Sequence, residues 1–475
     1  MNKKIGLPSV IAIGTGVVVA TSCLLTIGQG SGMVGEAFIL SMLIGFVINC
    51  FYVSSVVELN ALMPNLTGGL AQHTLASFGR FATIIVIFGA YLVGGTIVGS
   101  VECAMFGNAF AMLFPDLGLP HNFYSIAMLC FLIFVNFNGV NVFSKVQNLV
   151  AYGLIFSVVS MGLIGLFEAG TGEVVVQSMP AETSISSAIS LAGMSFFLFI
   201  GSEMIIPVSA RIKNSRYNVL RGMLLSLIII FVMQTILILG IKNYIPWGDL
   251  SASASPHLLY GSNLLGKVGM IWMIIVTIFA VISTANSNVS GLSYLAQGMA
   301  KLDLLPSCFN KINNKKAPFI AILTFGGSMI VINLFDLSSA SNLIFLVLCV
   351  CVFTMISYML VHINVILLRK RLPKVPRTYK SPFGISIQIL GVLSMLWMLW
   401  NIDPSIDNKI KVFVLTGVVM FLIGLYAFIW LKYVVKKPLF QPVAIKDVMA
   451  MENEMYFIER NANRKQKLES KLVQS

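Results

Sequence analysis

Apolar runs of about 20 residues recur along this chain, and no other feature constrains its fold as strongly. A helix needs about 20 apolar residues to cross the hydrocarbon core of a bilayer. Only helices and closed barrels satisfy their backbone groups at that depth. The runs are continuous rather than alternating, which selects helices. Spans are predicted at 8–28, 36–58, 81–113, 122–138, 145–168, 184–209, 219–241, 265–300, 318–336, 340–369, 385–401 and 410–436. The third, eighth and tenth exceed one crossing and are expected to tilt or to extend past the bilayer.

Composition agrees. Of 475 residues, 57% are hydrophobic and 10% charged, with mean hydropathy +0.90. Soluble domains carry roughly 25% charged residues, so a water-facing surface is excluded. The net charge of +13 raises a nucleic-acid reading, but the basic residues sit in short clusters between apolar runs, and no nucleic-acid partner is expected. Seven scattered cysteines, with no CxxC or His/Cys ligand spacing, indicate neither a metal site nor a disulfide framework. The basic start Met1-Asn2-Lys3-Lys4 leads into further spans rather than a cleavage site and a polar chain, so the first segment is expected to be retained.

Lys and Arg in short loops mark the cytoplasmic side. Arg211, Lys213, Arg216 and Arg221 follow span 6; Lys301, Lys311, Lys315 and Lys316 follow span 8; Arg369, Lys370, Arg371, Lys374, Arg377 and Lys380 follow span 10. The loop after span 5, with Glu168, Glu173 and Glu182, has neither Lys nor Arg. Both termini are therefore expected in the cytoplasm, with residues 437–475 as a basic tail. The last outer loop, with Lys409 and Lys411, fits less well. The sequon Asn65-Leu66-Thr67 falls on the cytoplasmic side and is discounted.

Spans 1 and 6 each interrupt an apolar run with small and polar residues: Ala20-Thr21-Ser22-Cys23 and Ile200-Gly201-Ser202-Glu203. A carboxyl at the bilayer centre costs roughly 2.5–3.5 kcal/mol on insertion scales, so Glu203 is expected to face a cavity, a partner or a proton path. Glu102 in span 3 is a second intramembrane acid. It is open to three readings: attraction of a cationic substrate, a neutral hydrogen-bonded group, or a place near the outer surface. The run Gly28-Gln29-Gly30-Ser31-Gly32 is followed by no Lys-Ser/Thr and preceded by no strand; it reads as a flexible connection between spans 1 and 2.

Four stretches in order resemble the amino acid–polyamine–organocation superfamily of secondary transporters. They are VVELNALMPNLTGGLAQHTLASFG (56–79), where His73 stands at a usual Tyr; NFNGVNVFSKVQN (136–148); FFLFIGSEMIIPVSARIKNSRYNVLRG (196–222); and STANSNVSGLSYLAQGMAKLDLLPSCFNKIN (283–313) with Pro318. RKRLPKVPRTYKSPFG (369–384) is a weaker fifth. The resemblance implies an all-α polytopic fold of the leucine-transporter type. Two inverted five-helix repeats, spans 1–5 (8–168) and 6–10 (184–369), have their first helices broken midway, and spans 11–12 (385–436) are added.

It further implies alternating-access transport of amino acids or related amines, by permease or antiporter, in a cell membrane, with no enzyme activity. The absence of Walker motifs agrees with secondary transport, and short loops suggest a bacterial inner membrane. The implied substrate site comprises Ala20, Thr21, Ser22 and Cys23; Ile200, Gly201, Ser202 and Glu203; Asn288; and an aromatic lid from Phe197 or Phe199. Freed N–H groups at a half-helix suit a carboxylate, and opposing carbonyls suit an ammonium. The family's Gly-Ser-Gly break is here Thr21-Ser22-Cys23, whose hydroxyls are expected to bond freed backbone groups in place of the glycines. Ser283 and Thr284 resemble the pair that helps hold sodium in coupled members; with Glu102 they are the ion-coupling candidates, for Na+ or H+. Leu154 stands where some proton-coupled relatives carry Lys. No other cofactor is expected, and the oligomeric state stays open. A polyamine or organic-cation exchanger, and a sensor retaining the fold, are the competing readings; a membrane enzyme lacks a nucleophile–base pair.

Overall fold

The computed structural model describes residues 5–63, 70–138, 143–177, 184–315, 317–335, 340–375 and 377–449. Stretches of the second, fourth, fifth and ninth loops, single residues of the eighth and tenth, the basic start, Glu182, Lys316, the sequon and the tail beyond residue 449 lie outside them. Among the described residues there is no strand, only an isolated bridge between Ile5 and Ile212.

Twelve passes are traced. Span 1 runs as two helices, Leu7–Val18 and Thr21–Val34. Span 2 is Phe38–Leu62. Span 3 comprises Arg80–Val86, a π stretch Ile87–Val93, and Gly94–Leu113. Spans 4 and 5 are His121–Phe137 and Phe143–Leu166. Span 6 is assembled from short pieces between Ile185 and Arg211. Spans 7, 9, 10 and 11 are Ser215–Ile241, Phe319–Leu334, Ala340–Arg371 and Ser386–Trp400. Span 12 is Ile406–Ile429, continued by Trp430–Val434. The helix Pro256–Lys301 bends at Leu265 and Gly266, where Gly266 takes φ 57°; the segment beyond the bend is span 8, as its predicted limits of 265–300 require. Gly35 (φ 63°) likewise turns the chain between spans 1 and 2, which separates the continuous apolar stretch Thr21–Leu62 into two passes.

Span 1 departs from the expected 8–28. The glycine-rich run is not a flexible connection but the end of the helix Thr21–Val34, buried on all sides. Its glycines admit close neighbours: an added Cβ would stand 2.3 Å from Pro256 at Gly28, 2.4 Å from the Phe38 ring at Gly30, and 2.4 Å from the Ser251 backbone nitrogen at Gly32. Small residues let backbones approach, and here they extend the span rather than end it.

Spans 5 and 7 meet through the same device. A Cβ on Gly240 would lie 2.4 Å from the Gly162 carbonyl oxygen. Overpacking at such a contact costs typically about 1–3 kcal/mol. Gly240→Ala is expected to lower the thermal unfolding midpoint of the detergent-purified protein. Gly248→Ala, where nothing lies within 4 Å, is expected to leave it unchanged.

At the Lys/Arg-rich end of the bundle, Ile5 accepts a hydrogen bond from the Lys213 backbone N–H at 2.9 Å, joining the ends of spans 1 and 6. The segment after span 12 turns back across this end. Phe81 N–H donates to the Leu439 carbonyl (3.0 Å), Val443 N–H donates to the Leu75 carbonyl (3.1 Å), and Lys437 pairs with Asp303 at 2.7 Å. The first residues of the predicted tail are thus docked rather than free.

Beneath this strap lies the short helix Leu70–Ser77 between spans 2 and 3. His73 in it is fully buried, and neither ring nitrogen has a hydrogen-bond partner among the described residues. Burial lowers its pKa from 6.5 to about 3. The unfolded chain therefore takes up a proton below about 6.5 that the native site refuses until about 3. Stability should fall across that interval as pH drops, by up to about 1.4 kcal/mol per pH unit. His73→Phe is expected to flatten this dependence relative to the parent chain in thermal unfolding at pH 4–8.

Candidate functional site

Both breaks that the resemblance implies, at the small and polar residues of spans 1 and 6, are present. In span 1 the helix stops at Val18. Val19 (φ −78°, ψ 83°) and Ala20 (φ −110°, ψ 161°) are extended before it restarts at Thr21. In span 6 a 3-10 turn Phe196–Phe199 ends at Ile200 (ψ 133°), and Gly201 takes φ 121° before a second 3-10 segment, Ser202–Arg211. That φ is open to glycine and strained for other residues. The helix restarting at Thr21 packs against the Phe196–Phe199 turn, so the breaks adjoin.

A break frees backbone groups that must be satisfied. In span 1 the hydroxyls expected to replace the missing glycines do not do this. Glu102 does: its carboxylate accepts from Thr21 N–H at 3.0 Å and from Ser22 N–H at 2.8 Å. Glu102 is fully buried, beside the break in span 1. The Thr21 and Ser22 hydroxyls stand beside the same carboxylate without a hydrogen bond of good geometry. The Cys23 thiol donates to the freed Val18 carbonyl at 2.9 Å. In span 6 the Glu203 carboxylate folds back to accept from Gly201 N–H at 3.0 Å. Each break is therefore closed by a carboxyl of the protein itself.

Tyr52 of span 2, Tyr91 in the π stretch of span 3, and Tyr358 of span 10 lie within electrostatic reach of Glu203. The Tyr52 and Tyr358 rings stack with centroids 3.5 Å apart, and Phe196 meets Tyr358 edge-on at 5.6 Å. The Tyr52 and Tyr358 hydroxyls are buried without a hydrogen bond of good geometry among the described residues, the Tyr358 hydroxyl standing beside the Glu203 carboxylate and the Tyr52 hydroxyl beside Tyr358. Sequence reasoning missed this trio; the available signal was three phenols within apolar runs. π segments gather at functional sites, and this one carries Tyr91.

The remaining candidates separate. Phe199 packs on Phe46 of span 2 at 6.1 Å, which in turn meets Phe231 of span 7. Phe197 is buried, with its backbone beside Cys351 of span 10. Ser202 is buried. Asn288 faces span 3, where a Cβ on Gly95 would come 3.2 Å from its Oδ1, and its neighbour Asn286 accepts from Asn136 of span 4 at 2.8 Å. Ser283 and Thr284 are buried on span 8, which packs on span 1. On that helix Thr277 and Ser293 donate to the carbonyls four residues back, at 2.9 and 2.6 Å, whereas the Thr284 hydroxyl has no partner among the described residues.

Glu58, part of the motif at 56–79, has a different task. It accepts from Arg369 Nε at 2.7 Å and from Ser381 N–H at 2.8 Å, and pairs with Arg369 Nη2 at 2.5 Å and Arg377 Nε at 3.5 Å. This buried network fixes the loop after span 10 to the end of span 2, away from the breaks.

A family model described as amino acid permease matches residues 5–426. The branched-chain amino acid permease BcaP of Bacillus subtilis is 22% identical, covering 89% of this chain and 92% of its own. The putrescine transporter PotE of Haemophilus influenzae is 23% identical, covering 78% and 84%. Among solved structures, a manganese transporter variant of Eremococcus coleocola superposes with TM-score 0.58 at 12% identity, covering 90% of this chain and 94% of that one, a likeness of fold.

Proposed function

This chain belongs to the amino acid permease family, and from that premise we propose that it carries a small amino-bearing solute through the two adjoining breaks by alternating access. It is a multi-pass membrane transport protein and not an enzyme. One observation carries the reading: two half-helices end against each other in the bundle interior, each with a buried carboxyl at its break. Discontinuous helices at the midplane are where transporters of this class bind substrate and ions. Relatives that carry amino acids and putrescine agree with an amino group as the shared feature.

In this reading Glu203 and the Tyr52 and Tyr358 hydroxyls receive the ammonium, since buried hydroxyls without a well-formed hydrogen bond call for a polar partner, and Tyr91 lies within electrostatic reach of the same carboxyl. Phe197 serves as the lid, because Phe199 is engaged with Phe46. Spans 1 and 6 move together against spans 3 and 8, in keeping with their tie at Ile5 and Lys213. A sodium ion fits the Thr284 hydroxyl, which forgoes the usual bond to its own helix. Ser283 would share it, and the ion supplies positive charge between spans 8 and 1. Both termini lie on the cytoplasmic side in this reading, in keeping with the basic loops after spans 6, 8 and 10.

The test is uptake into proteoliposomes holding the purified protein alone. Saturable, ATP-independent flux of an amino acid or amine is expected, steeper with external Na+ than with K+, and less so in Thr284→Val. Binding without flux would overturn this reading and select a sensor that retains the fold.

A further inference from the structure

We propose that Glu102 occupies, as a built-in ligand, the place of a substrate carboxylate, so that the solute carried is an amine cation without one. This rests on the transport reading above and narrows it. A helix start leaves its first N–H groups without intrahelical partners. On the half-helix that begins at Thr21, the Cys23 and Leu24 amides both donate to the Ala20 carbonyl, at 3.1 and 3.4 Å. Only Thr21 and Ser22 remain, and each donates to a different oxygen of Glu102, at 3.0 and 2.8 Å. The two-pronged geometry is that of a bound carboxylate, and it leaves an incoming one no backbone N–H at the start of this half-helix.

Charge points the same way. Neither Glu102 nor Glu203 has an ion-pair partner among the described residues. A solute carboxylate would have to enter beside Glu102, and like charges brought together cost several kcal/mol. An ammonium entering between two protein carboxyls supplies the missing opposite charge. The third-span acid thereby does for an amine what an amino acid's own carboxylate would do for itself.

The test compares matched pairs on the full-length protein in nanodiscs by equilibrium binding: putrescine with ornithine, cadaverine with lysine, agmatine with arginine, and isoamylamine with leucine. At least one amine is expected to bind about 100-fold or more tighter than its parent amino acid, the penalty of placing like charges together. Glu102→Ala, which frees the Thr21 and Ser22 amides, should narrow or reverse that ratio by at least about tenfold, a shift of about 1.4 kcal/mol. Glu102→Gln, which keeps the shape, should narrow it less. Should neither variant fold, the ratios in the parent protein decide alone. A parent amino acid bound as tightly as its amine would overturn the inference and leave the transport reading intact. No binding by any member of any pair would overturn both.

Discussion

Glu203→Gln is expected to cut transport by about 100-fold or more while leaving the protein folded. The amide is the same size, and its oxygen can still accept from Gly201 N–H, held at 3.0 Å in the native chain. The negative charge is what disappears. Truncating one member of a desolvated charge pair costs about 2–5 kcal/mol or more, and in the proposed site the other member is the solute's ammonium. The measurement pairs initial uptake rates in proteoliposomes with the unfolding midpoint of the same preparation. Lost flux with an unchanged midpoint assigns Glu203 to substrate. Normal flux would make it a structural cap for Gly201 and nothing more. A lowered midpoint would point to the cap as well, and Glu203→Asp then separates the two, because it keeps the charge but shortens the reach.

The second large effect is on stability. Glu58→Ala is expected to destabilise the protein by about 3–5 kcal/mol, the range for breaking a buried ion pair from one side. Both guanidinium groups facing Glu58 are nearly inaccessible, with side-chain exposures of 10% for Arg369 and 7% for Arg377. Their loss of a counter-ion has no compensation from water, and the Ser381 N–H is orphaned with them. Glu36→Ala is the control. Its pair with Lys242 has the short separation of 2.8 Å, but both side chains are well exposed, and such pairs are worth about 1 kcal/mol or less. Equal effects from the two substitutions in chemical unfolding would refute the assignment of the Glu58 network as a clamp.

How far the sequence foretold this depends on whether the signal was local. Span positions follow from runs of apolar residues and are written in neighbouring residues; the breaks in spans 1 and 6 come from the resemblance, with small and polar residues in each as the local sign. The break in span 1 was marked by Thr21 and Ser22, but the partner that completes it was not. Glu102 lies some eighty residues away and matches no motif, so its role appears only once span 3 is packed beside span 1. Tyr52, Tyr91 and Tyr358 come from three spans for the same reason. The glycine run from Gly28 to Gly32 was misread because glycine in isolation signals a turn, while glycine facing Pro256, Phe38 and Ser251 signals contact. Glu58 was visible within a motif, yet the two arginines that define its work belong to the far end of the chain.

The strap after span 12 bears on how the chain is made. Leu75 and Phe81 emerge early in synthesis, whereas Leu439 and Val443, which bond to them, emerge after every span has been threaded. Contacts so distant in sequence are the slowest to form. The short helix holding His73 therefore waits, its backbone incompletely paired, through the insertion of ten more spans. Closure of that end therefore follows the insertion of span 12, and a chain truncated just after span 12 keeps its spans but leaves the Leu75 carbonyl and the Phe81 N–H without these partners.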